Sequence, residues 1–203
     1  MRLLNKVGYE KNRFRYRFVD NFYFVHINKT GGSSLENALK IPFEHKTASE
    51  IISEVGISKW ERRFTFAIVR NTFDKVVSHF HYRVKTNQTS LGDKKLSFND
   101  WVKACYRDFD KRYLDNFKMF MPQFNWVSSE SGDVIVDFIG RFENLNNDFD
   151  YIAKKSSIRA TLPHEKKSKR QDFRGYYDSE TTELIASFFR KDLDFFNYGF
   201  DGE

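Results

Sequence analysis

The sequence predicts an α/β fold: a mainly parallel sheet with helices on both faces. Three observations predict it. Short apolar runs recur along the chain, NFYFVHI (21–27), FTFAIV (64–69) and DVIVDFIG (133–140), rich in the aromatic and β-branched residues that suit buried strands. Segments of helical periodicity lie between and after them. The order strand, loop, helix repeats, so successive strands run parallel with the helices as crossovers.

The elements follow in order. The first 20 residues open with MRLLNKVGYEKNRFRYRF, which is charged but has no long apolar run; they read as an N-terminal extension and not as a secretory signal. After strand 21–27, SSLENALK (33–40) predicts a short helix with Leu35 and Leu39 on one face. ISKW begins a link to strand 64–69. TFDKVVSHFHYRVK (72–85) sets Phe73, Val76, Val77, Phe80 and Val84 on one stripe, the inward face of a helix. SFNDWVKACY (97–106) predicts a helix capped by Ser97. After strand 133–140, ENLNNDFDYIAKKS (143–156) and SETTELIASFFRKDLDFF (179–196) predict helices, the last with Leu184, Ile185, Phe188, Phe189 and Leu193 inward.

Length and composition bound the answer. The 203 residues suit one domain, 1–203, with residues 1–20 as its extension, and 40% hydrophobic residues supply a core. The single cysteine, Cys105, lies in a helical run and reads as core; it excludes an internal disulfide framework and predicts a reducing, cytoplasmic setting. No apolar run is long enough for a membrane span. The net charge of +6, from 34 Lys+Arg and 28 Asp+Glu, suits an anionic ligand. Nucleic acid is not expected, because the basic residues are scattered and the aromatics follow core periodicity.

Ligands of open α/β sheets bind beyond the carboxyl ends of the strands, and two loops there draw attention. In HINKTGGSSLENAL, Gly31 and Gly32 permit a tight turn, and Ser33 and Ser34 open a helix whose free N–H groups attract an anion. The usual nucleotide loop, GxxxxGKS or GxxxxGKT, ends in its lysine, whereas Lys29 here precedes the glycines. In FAIVRNTFDKVVSHFHYR, Arg70 follows a strand, and Asp74, Ser78 and His81 share the helical face opposite the apolar stripe. An arginine fork suits phosphate. Blander readings exist for each feature: a capped turn, an ordinary ion pair for Arg70, a helix-capping role for His45, and a solvated basic run at Lys166, Lys167, Lys169 and Arg170.

Taken together, these two loops resemble those of sulfotransferases that use 3′-phosphoadenosine 5′-phosphosulfate (PAPS). The likeness is greatest to the bacterial and carbohydrate branch, to which heparan sulfate 2-O-sulfotransferases are related. EHKTASEI resembles the family's histidine segment, and GRFENLNNDF (140–149) its third motif. LPHEKKSKR and YYDSETTELIASFFRKDLDFFNYGF resemble its C-terminal end. The resemblance implies a P-loop-like three-layer fold. It implies that Lys29, Thr30, Gly31, Gly32, Ser33 and Ser34 hold the 5′-phosphosulfate, and that Arg70 and Ser78 hold the 3′-phosphate. It implies His45 as general base and Lys29 as the charge that stabilises the leaving group, with no metal. Lys169 and Arg170 are expected to close over the nucleotide, and His81 and Arg83 to meet an acceptor hydroxyl on a carbohydrate or small molecule. Glu143 is an alternative base, read as structural beside Arg141. The chain departs from the family pattern at Thr72, where proline is usual, and at Glu165 and Lys166, where an asparagine usually precedes the serine.

Rival readings are a P-loop small-molecule kinase, a nucleic-acid-binding module and a catalytically inactive nucleotide-binding relative. The kinase lacks its loop lysine here, and the nearest candidate for a metal-binding strand end, Asp137, lies inside VIVDFIG.

Overall fold

The computed structural model describes residues 12–94, 96–162 and 171–202. Helix α1 (12–18) is followed by β1 (Phe22–Val25), α2 (Gly32–Leu39), α3 (Ala48–Val55), α4 (Ile57–Trp60) and β2 (Phe64–Val69). Then come α5 (Thr72–Lys85), α6 (Leu91–Lys94), α7 (Phe98–Tyr106), α8 (Phe124–Val127), β3 (Phe138–Arg141) and α9 (Leu145–Lys155). The chain ends with α10 (Ser179–Phe188) and α11 (Arg190–Phe196). The described residues fall into two compact units: 12–69 with 125–162, and 70–124 with 171–202.

The first unit contains the sheet. Its three strands are all parallel, in the order β1-β2-β3, with Phe24 opposite Phe66 and Ala67 opposite Ile139. Every residue of β1 is buried, and the Phe24 and Phe66 rings stack at 5.1 Å. Continuous apolar strands of this kind are what a parallel sheet covered by helices requires. β1 is the edge strand, and its outward backbone groups are met by a side chain. The Tyr16 hydroxyl on α1 accepts from Phe24 N–H at 2.8 Å and donates to Phe24 C=O at 3.2 Å. Part of the expected extension is thus helical and closes the sheet edge.

β3 is shorter than the strand expected over 133–140. Only Phe138–Arg141 pair with β2, and Ser128 and Val134 make an isolated antiparallel bridge. At Asp137 the carboxylate accepts from the Thr65 N–H at 2.7 Å and from the Thr65 hydroxyl at 2.9 Å, while the Asp137 N–H donates to the Thr65 carbonyl at 3.0 Å. One main-chain bond to β2 thus continues just before Phe138, and a side chain takes the Thr65 N–H. This also accounts for Asp137 as a structural residue and not a strand-end metal ligand.

The second unit packs α5, α7 and α10 around one core. It contains Phe73, Val76, Val77 and Phe80 of α5, Trp101, Val102 and Cys105 of α7, and Phe120, Ile185 and Phe189. Each such large side chain contributes roughly 1.5–3 kcal/mol on burial. Ser97 caps α7 as expected, accepting from Asp100 N–H at 3.1 Å. At the start of α5 the Asn71 side chain accepts from Phe73 N–H at 3.0 Å, so a capped start stands where proline is usual. The helix expected over 179–196 is two helices, broken at Phe189 with φ −103° and ψ 21°. Beyond the break Asp192 is fully buried in polar contacts, which a continuous amphipathic helix would not predict. No helix among the described residues is long and apolar enough to cross a membrane.

Candidate active site

In the first unit, the chain leaves β1 and turns into α2 through the loop that holds Lys29. Two residues take left-handed backbone: Lys29 at φ 66° and Gly31 at φ 83°. Glycine does so freely; a lysine costs about 1–2 kcal/mol, strain of the kind found at binding loops. Thr30 is fully buried and its hydroxyl donates to Ile27 C=O at 2.9 Å, so it braces the loop from inside. No side chain caps α2, which leaves first-turn N–H groups available to an anion. Ser34 is buried, with its N–H donating to Gly31 C=O at 3.1 Å, while Ser33 is exposed. Half-buried Lys29 adds a full positive charge to the same loop. The donor set therefore suits a phosphosulfate: one cation and an uncapped helix start, without a carboxylate in the first turn of α2.

Gly32 is required by a contact that the sequence does not announce. A Cβ there would lie 2.0 Å from both Cδ2 and Nε2 of His26. The His26 ring thus lies directly against the first residue of α2. Its Nδ1 is 2.7 Å from Glu36 Oε1, and both side chains are almost wholly buried. Burial pushes the Glu36 carboxyl up to about 8 and the His26 imidazole down to about 4. At neutral pH the shared proton therefore rests on Glu36, which donates to Nδ1, and the ring hydrogen of His26 sits on Nε2. His26 is thus a buried, hydrogen-bonded histidine, and sequence reading missed its partner Glu36.

His45 packs on this pair. Its ring centroid is 4.1 Å from that of His26, and its Nδ1 is 3.0 Å from the His26 carbonyl oxygen. A carbonyl only accepts, so Nδ1 carries hydrogen and Nε2 is the basic nitrogen of the neutral ring. The bland reading of His45 as a helix cap does not hold. Thr47 caps α3 by itself, in a reciprocal arrangement: Glu50 N–H donates to Thr47 Oγ1 at 3.2 Å and Thr47 N–H to Glu50 Oε2 at 2.7 Å. Glu143, the other candidate base, is exposed, and the neighbouring Arg141 N–H donates to Asp148.

In the second unit, Arg70 is the residue after β2 in the chain and is buried. Its Nε donates to Asp74 Oδ2 at 2.8 Å, and Nη2 to the same oxygen at 2.5 Å. Its backbone is held by Gln123, which sequence reading overlooked. Ser78 and His81 are half-buried on α5, with the His81 ring 5.0 Å from that of Tyr176. His79 is a core residue against Trp101 and Phe120. Arg83, expected to meet an acceptor, is 2% exposed. It donates to Tyr113 C=O at 3.1 Å and pairs with Asp115 at 2.9 Å, so it crosslinks the unit's interior. Lys169, Arg170 and the rest of 163–170 lie outside the described residues. Among the described residues, no group of three or more His, Cys, Asp or Glu could hold a metal ion.

The sequence model of the sulfotransferase family matches residues 12–199. The chain belongs to this family of PAPS-dependent transferases, and its parallel sheet with helices is the P-loop-like fold of sulfotransferases. No curated protein and no solved structure matches it.

Proposed function

We propose that the protein transfers a sulfuryl group from PAPS to a hydroxyl of a carbohydrate or small molecule, within the branch related to heparan sulfate 2-O-sulfotransferases. The observation that carries this reading is His45 in the first unit, packed on His26 just ahead of the Lys29 loop with its Nδ1 on the His26 carbonyl oxygen. The donor supplies an activated sulfuryl group whose bond to the 5′-phosphate oxygen breaks as the acceptor oxygen bonds to sulfur. His45 Nε2 takes the acceptor proton. Lys29 meets the charge that builds on the departing oxygen, and the N–H groups of residues 31–34 hold the 5′-phosphate. Arg70 and Ser78 hold the 3′-phosphate, with Lys169 and Arg170 covering the nucleotide. His81 contacts the acceptor. Residues 1–203 act as one domain in the cytoplasm.

The test is transfer of label from ³⁵S-PAPS to a panel of sugars, glycans and small hydroxylated molecules, with tyrosine peptides as a comparison. Labelled sugar or small-molecule product, abolished in His45→Ala, is expected. Label on the peptides alone, or product formed equally by the variant, contradicts the reading.

A further inference from the structure

The second unit contains a run of buried polar side chains, Arg70, Gln123, Asp192 and Lys75, at 7%, 0%, 0% and 2% exposure, of which the family resemblance gives a role to Arg70 alone. Burying groups of this kind is unfavourable unless each is paired, and a fully paired network is rigid. The pairing is specific. Arg70 N–H donates to Gln123 Oε1 at 3.0 Å, and Gln123 Nε2 donates to Arg70 C=O at 2.8 Å. The same Nε2 lies 3.4 Å from Thr72 Oγ1. One amide side chain thus satisfies both backbone groups of Arg70, as a neighbouring strand would. Its orientation is fixed chemically, because a flipped amide would set N–H against N–H and oxygen against oxygen.

Gln123 is itself held in place. Its N–H donates to Asp192 Oδ2 at 2.7 Å, and the Phe124 N–H donates to Asp192 Oδ1 at 2.8 Å. Burial pushes the Asp192 carboxyl above its usual range, and these two N–H groups and the charge of buried Lys75 oppose that rise. At the other end of Arg70, Asp74 grips the guanidinium through Nε and Nη2. The arginine is therefore pinned at its backbone by one residue and at its head by another.

We propose that Gln123 is a positioning residue for phosphate recognition: it fixes the main chain of Arg70 so that the guanidinium is ordered before the nucleotide arrives. This rests on the reading that Arg70 contacts the 3′-phosphate. Ordering a long side chain in advance removes that entropic loss from binding. Gln123 touches no ligand and acts only through Arg70. Asp192 sets Gln123, and Lys75 compensates the charge of Asp192.

The test is calorimetry of Gln123→Ala with adenosine 3′,5′-bisphosphate and with adenosine 5′-phosphate. The readout is the ratio of the two dissociation constants, which a merely structural role would leave alone. The ratio should fall about tenfold in the variant, with affinity for the 5′-phosphate within about twofold of wild type. A folded variant with the wild-type ratio overturns the proposal. Absence of any preference for the bisphosphate in the wild-type protein defeats instead the underlying assignment of Arg70. Hydrogen exchange on the wild-type chain gives a second reading that needs no variant. The Arg70 amide should be protected without nucleotide to the same degree as the amides of β2. An amide that exchanges freely until nucleotide is added overturns the proposal.

Discussion

Gly32→Ala probes the packing beneath the first loop, and its sign is unusual. Gly32 opens a helix, and alanine in a helix is ordinarily better than glycine by roughly 0.5–1 kcal/mol. The structure predicts the opposite. The new methyl would stand 2.0 Å from His26 Cδ2 and Nε2, and 2.8 Å from Cε1. The imidazole has nowhere to go while its Nδ1 stays 2.7 Å from Glu36 and its ring lies against His45. Displacing it adds an overpacking term of about 1–3 kcal/mol. It also leaves the buried Glu36 carboxyl without its histidine, worth another ~1–3 kcal/mol. The two terms share one cause and overlap, so a loss of roughly 2–5 kcal/mol is expected. Urea unfolding of wild type and variant at pH 7, with the slope unchanged, measures it. Adding His26→Ala removes the obstructing ring, so the loss from Gly32→Ala should largely vanish in the double variant. A loss below about 0.5 kcal/mol, or additive losses in the cycle, would refute the reasoning.

Three further outcomes are expected. His45→Ala should lower turnover by roughly 10²–10⁴ with nucleotide binding nearly unchanged; retained turnover would shift the base to His81 or Glu143. Lys29→Ala should reduce kcat more than it weakens binding of adenosine 3′,5′-bisphosphate, whereas collapsed affinity with kcat intact would make Lys29 an anchor only. The His26–Glu36 pair should make stability depend on pH. Glu36 is raised from 4.5 to about 8, so the folded state binds its proton more tightly and the contribution is lost as pH rises through about 8. His26 is lowered from 6.5 to about 4, so the opposite slope operates only below 6.5. Unfolding free energy from this pair should therefore fall as pH climbs from about 6.5 to about 8, and Glu36→Gln should flatten that fall. An identical slope in wild type and variant would place the titration elsewhere.

What the sequence revealed, and what it hid, divides along physical lines. β1, β2 and α5 were legible because their burial is periodic or continuous: Phe73, Val76, Val77 and Phe80 all lie in one core, as their spacing predicts. The Lys29 loop and the Ser97 cap were legible because turns and caps depend on near neighbours. The residues that stayed hidden are polar groups buried by distant partners. Gln123 meets Arg70 across 53 positions and Asp192 across 69, and separations of that kind leave no local pattern. Tyr16 stayed hidden for another reason: its partner Phe24 is near in sequence, but the charged segment around Tyr16 reads as an extension. Glu36 carried one signal that could have been read: it lies between Leu35 and Leu39 on a helix whose buried residues include all three. β3 was over-extended because an apolar run does not reveal which of its residues will pair: at Asp137 the Thr65 N–H is taken by the carboxylate and not by the main chain.

The central claim is that the Lys29 loop and Arg70 serve a nucleotide with two separated phosphates, and calorimetry on three nucleotides tests it most directly. Adenosine 3′,5′-bisphosphate should bind more tightly than adenosine 5′-phosphate by roughly 30- to 1000-fold, which corresponds to about 2–4 kcal/mol for a charge-assisted contact. Chelator should not alter that binding, and Arg70→Ala should erase most of the preference while leaving affinity for the 5′-phosphate nearly intact. A preference for magnesium-ATP over the bisphosphate, lost on chelation, would contradict the account.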